Sequence, residues 1–304
     1  MSVYRFCKLK KEWVIIAKER VVRPNNYQAK IDFLSDNEKS CPFERGCEYK
    51  TPKEIFSLND ENGNWKCRVV ANLYKAVSIE SPKKSYLDGI YDVHVGLGAH
   101  EIIIETPNHK KAMYDFSEDD FLDYLTVVAN RVNDLKKDVR LEYIQVFKNH
   151  GINAGATMEH SHSQIIATPF IPNAILNEIE TQREYYFNHN RALIDDMVKF
   201  EISENLRVVD VNNLFIALAP FASRFPFEIM IFPLFSCSSI EKMDVKEINA
   251  LAKIMRTVFK RLHIVLDDFS FNLSFFNMPP VRDNIKYDYF YHMEHFTRFY
   301  INII

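Results

Sequence analysis

The sequence predicts an α+β fold, an internally duplicated unit with two mainly antiparallel sheets and flanking helices. Three observations carry that expectation: apolar runs rich in β-branched and aromatic residues recur along the chain, two strongly amphipathic helical stretches lie among them, and one order of elements occurs twice. The expected strands are RVVANLY (68–74), EIIIE (101–105), YIQVF (143–147), SQIIAT (163–168), FIAL (215–218), FEIMIF (227–232) and FSFNLSFF (269–276). The first helix opens at Ser117, with Asp120 three residues on to close a capping box, and carries Phe121, Leu125, Val128, Val132 and Leu135 on one stripe. The second opens at Asp244 with Glu247 in the same relation and carries Ile248, Leu251, Met255, Val258 and Leu262. In the first half EIII is followed by Pro107, a helix, a strand ending FKN (147–149) and the polar-alternating HSHSQI (160–165). In the second half EIMI is followed by Pro233, a helix, a strand ending FFN (275–277) and FYHMEH (290–295), each about 126 to 130 residues after its counterpart. This divides the chain into an expected first domain, 1–180, and a second, 181–304. The copies differ chemically: positions 160, 162 and 164 are His, His and Gln, whereas 290, 292 and 294 are Phe, His and Glu.

Composition narrows the function classes. With 304 residues, 47% hydrophobic and 26% charged, the chain can bury a large core without staples. A net charge of -3 supplies no bulk positive field for a nucleic-acid backbone, so any bound phosphate belongs to a small molecule. Five cysteines, an odd number spread over a long chain, read as reduced thiols or metal ligands and point to a cytoplasmic protein. The N-terminal stretch is interrupted by Arg5, Lys8, Lys10, Lys11 and Glu12, and no run approaches ~18 apolar residues, so neither a signal peptide nor a membrane span is expected.

The stretch NHGINAGATMEHSHSQIIATP (149–169) concentrates the chemistry. On a strand, His160, His162 and Gln164 project to one face and Ser161, Ser163 and Ile165 to the other. Upstream, Gly151, Gly155, Ala156 and Thr157 form a turn of small residues whose backbone N–H groups can approach an anion, a candidate phosphate cradle. His94, His100, His150, His189, His263 and His295 have no spacing that demands a ligand or a base and read as structural, with His150 set apart only by its place beside the turn. Tyr185, Tyr186 and Phe187, on an expected helix, read as core or dimer contacts.

The run N-x-G-x-x-x-G-x-T-x-x-H-x-H-x-Q resembles the signature of the galactose-1-phosphate uridylyltransferase family, a branch of the histidine-triad superfamily that includes ADP-glucose phosphorylase. EWVIIAKERVVRP (12–24), CPF (41–43), RVVANLYKAV (68–77), HEIIIETPNH (100–109), PFASRFPFEIMIFP (220–233) and YFYHMEHFTR (289–298) resemble further family blocks in the same order. The resemblance implies two histidine-triad-like domains, the second degenerate, and a nucleotidyltransferase of carbohydrate metabolism that passes UMP between a UDP-hexose and a hexose 1-phosphate. His162 would be the nucleophile, forming a nucleotidyl-histidine, and Gln164 would donate to a phosphate oxygen together with the amides of Gly155, Ala156 and Thr157. Arg20 and Arg23 would meet the diphosphate, Asn72 the nucleoside, and Asn149 would support the nucleotide site.

The resemblance also implies a structural zinc ion, with matching positions Cys41, Glu44, His109 and His160. Glu44 stands where the family has a second cysteine; a carboxylate can complete a tetrahedral site, Cys47 is the other candidate, and a metal-free site is the third. A second family metal site would retain only Glu178 and His292, with Phe276 and Phe290 at its other positions, and is expected to be empty. The expected partners are a nucleotide sugar, a sugar 1-phosphate and a second copy of the chain, with no nucleic acid and no membrane. Two other readings stand beside the transferase: a nucleotide-sugar or dinucleotide phosphorylase, in which inorganic phosphate is the acceptor, and a nucleotide-binding protein without turnover.

Overall fold

In the computed structural model, which describes residues 3–16, 41–281 and 292–304, the chain is organised around one ten-stranded antiparallel sheet. Its first half consists of β3 (Glu54–Asn59), β4 (Trp65–Ala71), β7 (Ala99–Ile104), β9 (His162–Thr168) and β8 (Tyr143–His150), in that spatial order. The second half repeats the arrangement with β13 (Phe271–Phe276), β14 (Tyr300–Ile303), β12 (Ile229–Pro233), β11 (Phe215–Leu218) and β10 (Val208–Val211). The two expected sheets are therefore joined: β8 and β13 pair antiparallel, with Phe147 opposite Ser274, so each half covers the edge that the other would leave open. Outside this sheet lie two hairpins, β1 (Val3–Cys7) with β2 (Glu12–Ile16), and β5 (Ser85–Asp88) with β6 (Tyr91–His94).

Strand alternation sends one set of side chains to a face covered by α1 (Glu118–Leu135) and α4 (Val245–Leu266). Val69, Ile103, Val146 and Ile165 from the first half, Ile231, Leu273, Phe275 and Ile301 from the second, and the expected apolar stripes of both helices form one continuous core. Both capping boxes are present: Ser117 accepts from the Asp120 amide, and Asp244 accepts from the Glu247 amide at 2.8 Å. The opposite face is treated unequally. In the second half α2 (Asn173–His189) and α3 (Leu193–Glu204) bury Ile179, Ile194, Met230, Phe232 and Phe276. In the first half, among the described residues, a small buried group, Cys41, Phe43, Trp65, Val70 and Ile104, packs on it. That face carries His160, His162 and Gln164.

The repeat differs from its expected register in one element. The second-half partner of β9 is β14, and 290–295 is not its counterpart: the described part of that stretch begins at His292 in a left-handed turn and runs into the short helix α5 (Met293–Phe296). Ile104 lies opposite His162 in the first half, and Ile231 lies opposite Ile301 in the second. With the helix-facing positions matched, Tyr300 and Asn302 share the face of β14 that corresponds to the His162 and Gln164 face of β9. The reason is an insertion: the link from β13 to β14 is about twice as long as that from β8 to β9, and the polar alternation of FYHMEH falls within it.

Candidate active site and metal centre

His160, in the bend just before β9, and His162, the first residue of β9, are held by opposite ring nitrogens. The Nε2–H of His160 donates to the Thr106 carbonyl at 2.8 Å, which leaves Nδ1 as a lone-pair donor facing Cys41 Sγ at 3.7 Å. The Nδ1–H of His162 donates to the His160 carbonyl at 2.8 Å, so its Nε2 carries the lone pair. Burial draws the pKa of His160 down to about 4; burial, reinforced by the Lys148 charge, also lowers that of His162. Both rings are thus neutral near pH 7. The His162 ring is 9% exposed and tilts against Phe43 at 5.5 Å. Asn149, on the same face of β8, is in register with His162, because Phe147 pairs with Gln164 two residues earlier.

Gln164 is held by its carbonyl. Oε1 accepts from His100 Nε2 at 2.8 Å, and Asn72 Nδ2 approaches the same oxygen at 3.5 Å. Asn72 Oδ1 accepts from the Tyr74 amide at 2.9 Å. Asn72, expected at the nucleoside, thus lies beside Gln164 and His100, with its Nδ2 3.1 Å from His100 Nε2. His100, read from sequence as structural, touches the candidate site; nothing local signals this, because the contact spans 64 residues and exists only through the pairing of β7 with β9.

The small-residue turn has glycine where the backbone requires it: Gly151 at φ 82°, ψ 153° occupies a region open essentially to glycine alone, and Gly155 is left-handed at φ 86°. Its amides are directed differently from expectation. Gly155 N–H donates to the Ile152 carbonyl at 3.0 Å and Ala156 N–H to the Gly151 carbonyl at 3.0 Å, because the segment closes on itself as a 3-10 turn. These two amides do not form an anion cradle here, and of the expected donors Thr157 remains. Asn272 of β13, which the sequence did not mark, anchors the turn by donating to Asn149 Oδ1 at 2.8 Å and to the Ala154 carbonyl at 2.9 Å.

Cys41, His109 and His160 are buried with ligand atoms within 4.8 Å of one another, a group able to bind a metal. Glu44 is brought back over them by the turn that starts at Cys41; its Oε2 lies 3.7 Å from His109 Nδ1 and 3.9 Å from His160 Nδ1. Tetrahedral bonds of about 2.0–2.3 Å place ligand atoms roughly 3.3–3.8 Å apart, close to these separations. His109 Nδ1 and Glu44 Oε2 are buried without a hydrogen-bond partner, an arrangement that a cation would satisfy, while His109 Nε2 lies 3.6 Å from Glu159 Oε2. Neither Glu44 nor Cys47 belongs to the tight group of three; Glu44 is the one placed near two of its members, and Cys47 lies one turn further on, ahead of the short helical turn Glu48–Lys50.

On the helix-covered side, directly behind the His-x-His strand, Lys148 and Glu105 form an ion pair of 2.8 Å with both side chains almost fully buried. Lys148 also donates to Ser161 Oγ and to the His162 carbonyl, each at 3.0 Å; Ser161 and Ser163 donate to Glu105. Burial opposes the charge on Glu105, but Lys148 and the two hydroxyls outweigh it and hold the carboxyl below its ordinary range. A lysine at an inward position of YIQVFKNH was the available sequence signal, since a charge there needs a partner.

Other expected residues fall elsewhere. Arg20, Arg23 and Phe290 lie outside the described residues. Glu178 accepts from Tyr300 Oη at 2.7 Å, and Tyr300 in turn stacks on Phe276, so aromatic rings line that region; His292 faces His295. His150 stacks on Phe271 with Nε2 3.5 Å from Asp268, on the side away from His162. Tyr185 and Tyr186 pack into the second core, while Phe187 is exposed. No helix among the described residues is long and apolar enough to cross a membrane.

Residues 1–172 match the galactose-1-phosphate uridyl transferase N-terminal domain and residues 178–299 its C-terminal domain. An ADP-glucose phosphorylase from Arabidopsis thaliana is 31% identical over 271 residues, covering 88% of this chain and 76% of the relative. A galactose-1-phosphate uridylyltransferase from Thermotoga maritima is 25% identical over 296 residues, covering 97% and 86%. The crystal structure of an Arabidopsis thaliana ADP-glucose phosphorylase with bound ADP-glucose superposes with a TM-score of 0.82 at 27% identity, covering 100% of this chain and 89% of that one. The chain belongs to the galactose-1-phosphate uridyl transferase family, a family of nucleotidyltransferases.

Proposed function

We propose that the protein transfers a nucleotidyl group from a nucleotide sugar to a phosphorylated acceptor through a covalent intermediate on His162. The observation that carries this reading is the hydrogen bond from His162 Nδ1–H to the His160 carbonyl, which leaves a neutral ring with its Nε2 lone pair available. In the first step Nε2 forms a bond to the α-phosphorus while the bond from that phosphorus to the bridging oxygen breaks, and the electron pair leaves with the sugar 1-phosphate. In the second step an acceptor phosphate oxygen attacks the same phosphorus, the N–P bond breaks and the ring recovers its lone pair. Gln164 and Thr157 donate to the non-bridging oxygens, where one well-placed donor is worth about 3 kcal/mol. Asn149 supports the nucleotide beside His162, and Arg20 and Arg23 supply countercharge to the diphosphate.

Two acceptors remain in play. Similarity to an ADP-glucose phosphorylase favours inorganic phosphate, with an ADP-sugar as donor and ADP released. The family domains spanning both halves favour the second reading, UMP transfer between a UDP-hexose and a hexose 1-phosphate. Incubation with ADP-glucose or UDP-glucose labelled at the α-phosphate, followed by denaturing isolation, should trap label on the wild-type chain and none on His162→Ala. Label that persists on the variant refutes the assigned nucleophile. Discharge of the trapped adduct by phosphate alone selects the phosphorylase, and discharge by hexose 1-phosphate alone selects the transferase.

Cys41, Glu44, His109 and His160 are proposed to hold a zinc ion, which one thiolate, two imidazoles and a carboxylate suit better than a hard cation. When bound, zinc would fix the start of β9 and so orient His162; it would take no part in the transfer.

A further inference from the structure

We propose that His100 is a positioning residue that sets which end of the Gln164 amide faces the phosphate, an inference that rests on the reading of Gln164 as a phosphate donor. The two ends of a glutamine amide have nearly the same shape but opposite polarity. Only the NH2 end helps an anionic transition state; the carbonyl would repel it. Something must therefore choose between them, and a chain of hydrogen bonds does so from a fixed starting point.

That starting point is the backbone amide of Ala76, which can only donate, and which reaches His100 Nδ1 at 3.1 Å. Nδ1 is accordingly the acceptor, and the neutral ring carries its hydrogen on Nε2. Nε2–H points at Gln164 Oε1, 2.8 Å away. If the amide turned over, its NH2 would meet this N–H and the nearby Asn72 Nδ2, three donors with no acceptor between them. The carbonyl of Gln164 is thus held inward, and its N–H groups are left for the face shared with His162. His100 lies on β7 two positions from Ile102, the residue that pairs with Gln164, so the contact is a diagonal cross-strand neighbour built by the β7–β9 ladder.

The rate of adduct formation on His162 at saturating labelled nucleotide sugar, measured for wild type, His100→Phe, His100→Gln, Gln164→Ala and the His100→Phe/Gln164→Ala double variant, tests the proposal. His100→Phe should slow adduct formation about tenfold or more, short of the ~100-fold or greater loss on removing an oxyanion donor outright. Substrate affinity and melting temperature should change little. His100→Gln keeps an acceptor for Ala76 and a donor for Gln164 and should recover most of the rate. In the Gln164→Ala background His100→Phe should cost nothing further. Nitrogen-15 shifts of the imidazole should report the Nε2–H tautomer, and the Gln164 side-chain amide resonances should move in His100→Phe. A fully active His100→Phe, an equal loss in both backgrounds, or an Nδ1–H tautomer overturns the proposal while leaving His162 as nucleophile. A wild type that forms no adduct overturns that assignment instead, and the nitrogen-15 measurement then decides the orientation of the amide by itself.

Discussion

His160 and His162 are two residues apart at the start of β9, and a single choice separates their chemistry: which ring nitrogen is given to a carbonyl. His160 gives Nε2 and turns Nδ1 to Cys41; His162 gives Nδ1 and keeps Nε2. The ligand role leads to a prediction at this scale. Glu44→Ala should lower zinc from one ion per chain to a substoichiometric content after dialysis, measured by elemental analysis, whereas Cys47→Ala should leave it unchanged; the reverse pattern would give the fourth position to Cys47. Glu178 supplies a second. Burial pushes its carboxyl up to about 7 from 4.5, against the opposing hydrogen bond from Tyr300. Between roughly pH 4.5 and 7 the folded state then binds more protons than the unfolded one, so stability falls as pH rises through that window, by at most about 3 kcal/mol. Urea unfolding at pH 5 and pH 8 should show this loss in wild type and a flatter dependence in Glu178→Gln; identical slopes would mean that Glu178 is not desolvated.

At the scale of elements, the helices that announced themselves did so through local chemistry. Ser117 and Asp244 accept from amides three residues on, and the stripes that follow are buried as the 3.6-residue period requires. Removing either cap by Ser117→Ala or Asp244→Ala should destabilise the fold by about 1 kcal/mol, read as a shift in the denaturant midpoint without a change in slope. α2 and α3 gave weaker signals because Pro172 and Ala192 precede them and neither offers a side-chain cap. β14 was hidden for another reason. Its sequence YINI is short, and the polar alternation of FYHMEH upstream imitated the pattern of β9, although its described residues, 292–295, form a turn and the start of α5. Alternation was a sound guide to β9 and the two residues before it, which divide as read: imidazoles and amide on one side, serines hydrogen-bonded to Glu105 on the other.

For the molecule as a whole, the pairing of β8 with β13 decides most. It turns two five-stranded units into one sheet, and α1 and α4 close a single core across the seam. A fragment of residues 1–172 would bare the β8 edge together with half of that core, so it should associate and unfold without cooperativity; a monomeric fragment with a sharp transition would show that the halves are independent. By itself the sequence determined the fold class, the two capped helices and most of the strands, because each rests on local periodicity; the grouping of Cys41, His109 and His160, which lie 119 residues apart from first to last, was implied by the resemblance to the family and by no local pattern. Only the tertiary structure decided that the sheets are continuous, that Tyr300 and Asn302 share the face of β14 corresponding to that of His162, that the amides of Gly155 and Ala156 close their own turn, and that Lys148 and His100 reach the site. These facts depend on which strands lie side by side, and strand neighbours separated by scores of residues leave no period in the chain to read.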